Sequence, residues 1–371
     1  MGATSNGTEN YFQKHSLPID PVILGKTKFC ISPVGFGCYR IHFSIPEHAL
    51  ALEQALLSGC NLIDTSTNYG DGGSEILVGQ ALEKLFKEKK LSRDEVVVVT
   101  KVGYVQGQNL NLAKKRIEQS KPFTDMVEYD PECWHCISPD FLEDQITRSL
   151  ERLKLEKIDV LLLHNPEYFL KTHQDSYEYY RRIERAFEYL EEQVQKGRIQ
   201  YYGISSNTFP VSMTEHDFTS LEKILNLAHE ISHHNHFAVI QFPFNLFEAG
   251  AALIKNNSSK TVLELAASHQ LGTLVNRPLN AFYNNQLIRL ADFPQHEMAQ
   301  QISQAIEESC PKTMTSKTLS QKVIRLYQSL SGLHCVLVGM RKSEYVKDIM
   351  NLEPPLPHEE IVQCLRDFWV D

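Results

Sequence analysis

Short apolar or β-branched runs bounded by turn residues recur along the chain: ISPVGFG (31–37), NLIDT (61–65), EVVVVTKV (95–102), IDVLLLHN (158–165), IQYYGIS (199–205), AVIQFPFN (238–245), LGTLVNRP (271–278) and HCVLVGM (334–340). Between these eight candidate strands lie segments of helical period at 46–58, 74–90, 138–154, 176–196, 218–232 and 258–269, with a longer stretch at 297–330 broken near Pro311. Unbroken alternation of strand and helix predicts parallel strands joined by right-handed crossovers, and eight such units close into a (β/α)8 barrel. The rival is a pair of doubly wound domains. It lacks its main support, because VGFGCYRI (34–41) carries GxG without the third glycine of a dinucleotide fingerprint. The expectation is therefore an α/β chain: a (β/α)8 TIM barrel with a long loop after the third strand and extra helices near the C-terminus. Residues 27–371 form its single domain, and 1–26 are expected as a flexible leading segment. The polar excursion at 104–137 is too long for an ordinary connection and is a candidate substrate-covering loop.

Composition narrows the function classes. Hydrophobic residues make up 42% of the 371 positions and charged residues 22%, which suits a globular protein and not a disordered one. Lys and Arg number 37 against 46 Asp and Glu, and no long basic run offers a phosphate-neutralising surface, so nucleic acid is not an expected partner. No apolar stretch approaches the ~20 residues needed to span hydrocarbon, so no membrane is expected either. The opening residues lack the features of a secretory or transit signal, and Asn6 stands where a myristoylation motif needs Ser or Thr. A cytoplasmic location is the expectation. The eight cysteines, at 30, 38, 60, 133, 136, 310, 335 and 364, are scattered and are expected as reduced thiols. Only Cys133 and Cys136 form a close pair; with no second CxxC and His135 between them, loop packing is favoured over a metal or redox site.

In such a barrel reactive groups sit at the carboxyl ends of strands and in the loops that follow. Asp64 ends the second run in LIDTSTNYG, Tyr69 follows it, Lys101 ends the third in VVVVTKVG, and His164 ends the fourth in VLLLHNP. Taken singly, each has an ordinary alternative as a solvated, packed or turn-capping side chain. Together they carry more weight, because Lys101 and His164 close strongly apolar runs where a polar group is costly without a partner or a wet pocket. Asp64 is the evident counter-ion for Lys101. A phenol titrates near ~10, and an adjacent ammonium stabilises its phenolate, so Lys101 is expected to draw Tyr69 toward the working range. Carbonyl reduction fits these groups best: Tyr69 delivers a proton to oxygen, His164 orients that oxygen, and hydride must come from a nicotinamide cofactor.

The strings LIDTSTNYGDGGSE, VVVVTK, ERLKLEKIDVLLLHNP, YYGIS, VIQFPFN and VLVGMRKS, in this order across 27–351, resemble the aldo-keto reductase superfamily. The resemblance implies that Tyr69 is the general acid and that Asp64, Lys101 and His164 complete its tetrad. It also implies a carboxamide site made by Ser205, by Ser206 or Asn207 in GISSN, and by Gln241. The seventh run departs from the family, with Asn276-Arg277-Pro278-Leu279 where an aromatic followed by Ser-Pro-Leu is common. Arg277 is then the candidate for the pyrophosphate. Gly339, Arg341 and Lys342 stand where the family binds the adenosine phosphate, which implies NADP(H), with NAD(H) as the alternative. Tyr345 and Asp348-Ile349 depart from the usual Arg and Glu-Asn of that region.

Two readings of function follow. One is an NADP-dependent carbonyl reductase or alcohol dehydrogenase acting on a small aldehyde, ketone or sugar, as a monomer or dimer and without metal. The other is a nicotinamide-binding regulatory barrel with little turnover. Phe123, Tyr129, Trp134 and His135 in the long loop, with Tyr39 and Tyr168, are the expected pocket walls, and aromatic walls accept many carbonyl compounds.

Overall fold

The computed structural model describes residues 1–15, 17–283, 286–291, 297–309 and 318–368. Pro311 and Cys310, named above, lie outside the described residues. Strands β1 (Val34–Gly37), β2 (Leu62–Asp64), β3 (Val97–Val102), β4 (Ile158–His164), β5 (Ile199–Ser205), β6 (Phe237–Pro243), β7 (Gly272–Asn276) and β8 (Cys335–Val338) close into a barrel in chain order. Every neighbouring pair is parallel, including β8 with β1. The runs without polar alternation, VVVTKV and IDVLLLH, are buried along their whole length, as a strand covered by helices on one face and by the barrel interior on the other must be.

The pleat decides what points inward. Leu62, Val97, Val99, Val160, Leu162, Val239, Leu274 and Leu337 share one interior cluster with Leu24, Phe29 and Ile31, which close the lower mouth. Their neighbours Ile63, Val98, Leu161, Leu163 and Ile240 face the helical layer and its larger core. Side chains alternate with period two, so extending the inward rows to the strand ends brings Asp64, Lys101, His164, Gln241 and Asn276 to the upper rim. Register adds Ser205, which pairs with both His164 and Gln241.

The helices start where the sequence supplies caps. Pro occupies the first turn of Pro46–Leu57 and Pro139–Leu153. Asp175 accepts from the Glu178 N–H to open Ser176–Gln195, and Thr261 with Glu264 forms a capping box on Val262–Ser268. Beyond β8 the chain adds Ser343–Ile349 and His358–Phe368, the extra C-terminal helices. No helix among the described residues is long and apolar enough to cross a membrane.

One sequence expectation needs correction and another gains detail. The opening residues are not frayed: helix Ser5–Lys14 starts at Thr4, whose side chain accepts from the Gly7 N–H, and Tyr11 is fully buried with its hydroxyl donating to Leu56 O at 2.6 Å. Ala3 N–H and Gln200 Nε2 both donate to Asp159 Oδ1, while Arg93 and the Val98 N–H hold Oδ2, so one buried carboxylate ties this segment to the barrel floor. Segment 104–137, the long excursion after the third strand, carries structure of its own. It folds as helix Gly107–Glu118 and a small antiparallel sheet in which Cys133–His135 lies between Tyr104–Val105 and Val127–Asp130.

Candidate active site

Lys101 stands at the centre of the rim with its side chain fully buried. Its ammonium donates to Asp64 Oδ2 at 2.7 Å, to the Thr65 carbonyl at 2.9 Å and to the Tyr69 hydroxyl at 3.3 Å. All three N–H donors are therefore used. Burial works against the charge, but Asp64 and Tyr69 outweigh it and hold Lys101 above the ordinary lysine range. Burial raises the Asp64 carboxyl, with Lys101 and Gln241 opposing that rise. Tyr69 reaches Lys101 because NYGDGG turns sharply after β2: Gly70, Asp71 and Gly72 have φ of 55°, 54° and 85°. Glycine at two of these three left-handed positions removes most of the steric cost.

Here the structure revises an expectation. Tyr69 lies above, not below, the ordinary phenol range; burial is the larger effect, Lys101 opposes it, and the Asp64 carboxylate adds to it. The main reason is that the phenol itself is buried, and the Asp64 carboxylate, paired with Lys101, adds to the rise. Tyr69 is consequently a protonated phenol at neutral pH.

His164 completes the group. Its ring lies edge-on to Tyr69 at 6.0 Å and to Tyr104 at 4.7 Å, and Nδ1 is 3.1 Å from Ser66 Oγ. Burial first, then the Lys101 charge, hold it well below the ordinary imidazole range, so it is neutral. Ser66 was not anticipated. Its only sequence signal is its place in the DTS turn after β2.

Behind the ion pair, Ser205 and Gln241, expected from the sequence only as carboxamide ligands, join Asn276 in a chain that reaches Asp64. Gln241 donates through Nε2 to Asp64 Oδ1 at 2.7 Å, and its Oε1 accepts from Ser205 Oγ at 3.0 Å and Asn276 Nδ2 at 3.4 Å. Ser206 is buried and engaged with Thr208, whereas Asn207 uses only its backbone N–H locally, donating to Glu167 Oε1 at 2.8 Å. Of the two candidates in GISSN, Asn207 is thus the one whose engaged group is its backbone N–H rather than its side chain. Arg277, at φ 55°, pairs through Nη2 with Glu248 Oε1 at 3.1 Å on the loop after β6. Two buried polar atoms beside this rim make no hydrogen bond: Asn276 Oδ1, an acceptor, and Arg277 Nε, a donor. Gly339 follows β8 with open space where a Cβ would stand. Arg341 and Lys342 follow it, and Lys342 leans toward Glu344 at 3.6 Å.

The mouth is aromatic. Tyr104, Tyr129, Tyr168 and His135 pack on one another, and His135 Nε2 lies 2.7 Å from the His164 carbonyl. Tyr39 faces Tyr69 from the other side at 5.2 Å and is largely exposed. Cys133 and Cys136 are free and buried; Cys136 contacts the Thr124 carbonyl and Ser138 Oγ, and burial pushes its thiol up to about 12. Such thiols are inert, which fits packing and not redox exchange. Among the described residues no group of three or more His, Cys, Asp or Glu is arranged to hold a metal ion.

A family model described as "Aldo/keto reductase family" matches residues 33–365. Curated relatives include the NADH-specific methylglyoxal reductase of Escherichia coli, 31% identical over 38% of this chain and 40% of its own. The D-arabinose 1-dehydrogenase of Saccharomyces cerevisiae is 29% identical over 49% and 45%. The matched region spans about half the length of these relatives or less. Among solved structures, an aldo-keto reductase from Bacillus halodurans in its holo form superposes with a TM-score of 0.64 at 20% identity, covering 94% of this chain and 96% of that one. An aldo/keto reductase from Klebsiella pneumoniae in complex with NADP and acetate gives 0.61 at 19%, covering 94% and 95%. At these identities the superpositions speak for the fold.

Proposed function

Because the chain belongs to the aldo/keto reductase family and its rim joins an acid, a cation and a neutral imidazole, we propose that it interconverts a small carbonyl compound and the matching alcohol with a nicotinamide cofactor. One observation carries this reading: the Lys101 ammonium, fully buried, is shared between Asp64 and Tyr69. No packing requirement explains a cation there, and a desolvated charge is retained where it has partners to serve.

In reduction, Tyr69 gives its proton to the substrate oxygen. Lys101, 3.3 Å behind, stabilises the phenolate that remains, and Asp64 keeps Lys101 charged and aimed. His164, neutral, donates from Nε2 to the same oxygen in the tautomer whose Nδ1 accepts from Ser66. Bound NAD(P)H supplies the hydride. The phenolate recovers its proton from water, so the reduction consumes one hydride and one proton. The raised phenol suits this direction, because the proton stays on Tyr69 until negative charge develops on the substrate oxygen.

The residues present fit the cofactor. Ser205, Asn207, Gln241 and Asn276 would hold the carboxamide, the orphaned Asn276 Oδ1 being an acceptor for its amide hydrogens. Arg277, with its unpartnered Nε, would take the pyrophosphate; Gly339, Arg341 and Lys342 would take the adenosine end. The basic pair supports NADP(H), the form in the Klebsiella neighbour, although the Escherichia coli relative is named for NADH. The aromatic mouth supports an aldehyde, ketone or sugar as substrate. The seven described cysteines are all free, which supports the cytoplasm as compartment.

Tyr69→Phe tests the assignment. Over a panel of carbonyl compounds with NADPH and NADH, kcat is expected to fall by about 10²–10⁴-fold while cofactor affinity stays within about twofold. Wild-type turnover in that variant on every active substrate would overturn it.

A further inference from the structure

We propose that Glu167 is a positioning residue, clasping the turn that ends β4 to the 205–207 segment so that the segment keeps the shape that receives the nicotinamide carboxamide. The inference rests on the cofactor reading above. Glu167 is fully buried three residues after His164, and its Oε1 accepts from the Asn207 N–H at 2.8 Å. A second bond, from the Asn165 N–H to the Ser205 carbonyl at 2.7 Å, fastens the same two turns. Asn165 takes a left-handed φ of 52° to make it. The two clasps flank Ser206, whose hydroxyl meets Thr208 and also favours the charged form of Glu167. The segment that carries Ser205 and Asn207 is thus fixed from the β4 side, by the turn that also carries His164.

The carboxyl is an unusual choice for a purely structural clasp. Its Oε2 is buried without a hydrogen bond of its own, a cost that a smaller acceptor would avoid. Around it stand Lys171, the cation that favours its charge, the phenols Tyr104, Tyr168 and Tyr179, and Asp217 near Tyr179 and Lys171. Burial prevails and pushes Glu167 up to about 7. The clasp therefore changes character near neutrality. Above that pH the bond to Asn207 is charge-assisted and stronger; below it the acceptor is a neutral acid.

The test compares wild type, Glu167→Gln and Glu167→Ala by direct titration with NADPH and NADH and by steady-state kinetics from pH 6 to 8. Glu167→Ala should weaken cofactor binding about tenfold and lower kcat at saturating cofactor less than threefold. Glu167→Gln, which keeps an acceptor for the Asn207 N–H, should recover most of that affinity and lose the wild-type pH dependence. Should the alanine variant fail to fold, the flattened profile of the glutamine variant decides alone. Variants that bind cofactor as the wild type does across this range overturn the clasp, as does a glutamine variant that keeps the wild-type pH dependence. A wild-type protein that binds neither cofactor refutes the functional reading itself.

Discussion

Asp64→Asn separates the two things that Asp64 does to Tyr69. Through Lys101 it holds the cation under the phenol; through its own charge it opposes ionisation of that phenol. The bridging bonds of 2.7 and 3.3 Å place the carboxylate within about 6 Å of the hydroxyl. At an effective dielectric of about 20, a unit charge at that distance contributes roughly 2.8 kcal/mol toward keeping the proton on the phenol. Removing it leaves the Lys101 ammonium, still bound to the Thr65 carbonyl, acting alone on the phenol. The pH profile of kcat/KM for alcohol oxidation, which requires ionised Tyr69, should then move down while the maximal rate falls as Lys101 loses its aim. Stability should drop by about 3–5 kcal/mol, because a buried cation has lost its partner. The assay is the oxidation profile from pH 6 to 10, alongside thermal unfolding. A profile that stays in place or moves up would refute the reasoning, the upward shift showing that Lys101 has shed its proton.

Three further outcomes are expected. Glu167 keeps its proton in the folded state up to about 7, whereas an unfolded glutamate ionises near ~4.3, so folding stability should decline as pH rises between those values and level off above. Glu167→Gln should lack that decline, a difference of about 3 kcal/mol at pH 8 in denaturant titrations; identical pH dependence in both proteins would contradict it. Tyr11→Ala deletes a fully buried ring and its bond to Leu56, which should cost about 3–5 kcal/mol and lower the thermal midpoint with kcat at 25 °C unchanged, whereas a frayed segment would show no change. Arg341→Ser should weaken NADPH binding about tenfold and leave NADH binding alone; equal losses for both would assign Arg341 elsewhere.

The barrel was legible because its signal is local. Each strand is a short apolar run, each helix an amphipathic period, and their order leaves little topological freedom. The clustering of Asp64, Tyr69, Lys101 and His164 was legible for a related reason: an ionisable residue at the end of a run such as VVVVTK or VLLLH is conspicuous against its own neighbours. What stayed hidden depends on partners far away in sequence. Nothing in SNGTENYFQK signals that Tyr11 reaches Leu56, or that Asp159 will accept from Ala3 and Gln200; the helix is polar and gains its stability from those tertiary contacts. The excursion at 104–137 hid its small sheet because strands of two to four residues carry no readable period.

The raised Tyr69 phenol has a different origin, and it bears on how the site works. Sequence places a lysine beside a tyrosine and suggests an acidified phenol, but burial of the ring outweighs the cation and Asp64 opposes it further. Gln241 donates to the carboxylate's other oxygen and so favours that opposing charge. Ser205 and Asn276 in turn hold the Gln241 carbonyl, so the same strand ends that would receive the carboxamide also determine how far the phenol resists ionisation. An acid set this way does not leak its proton to water at rest. It yields the proton when charge forms on an oxygen within reach, since only then do Lys101 and the substrate act on the phenol together.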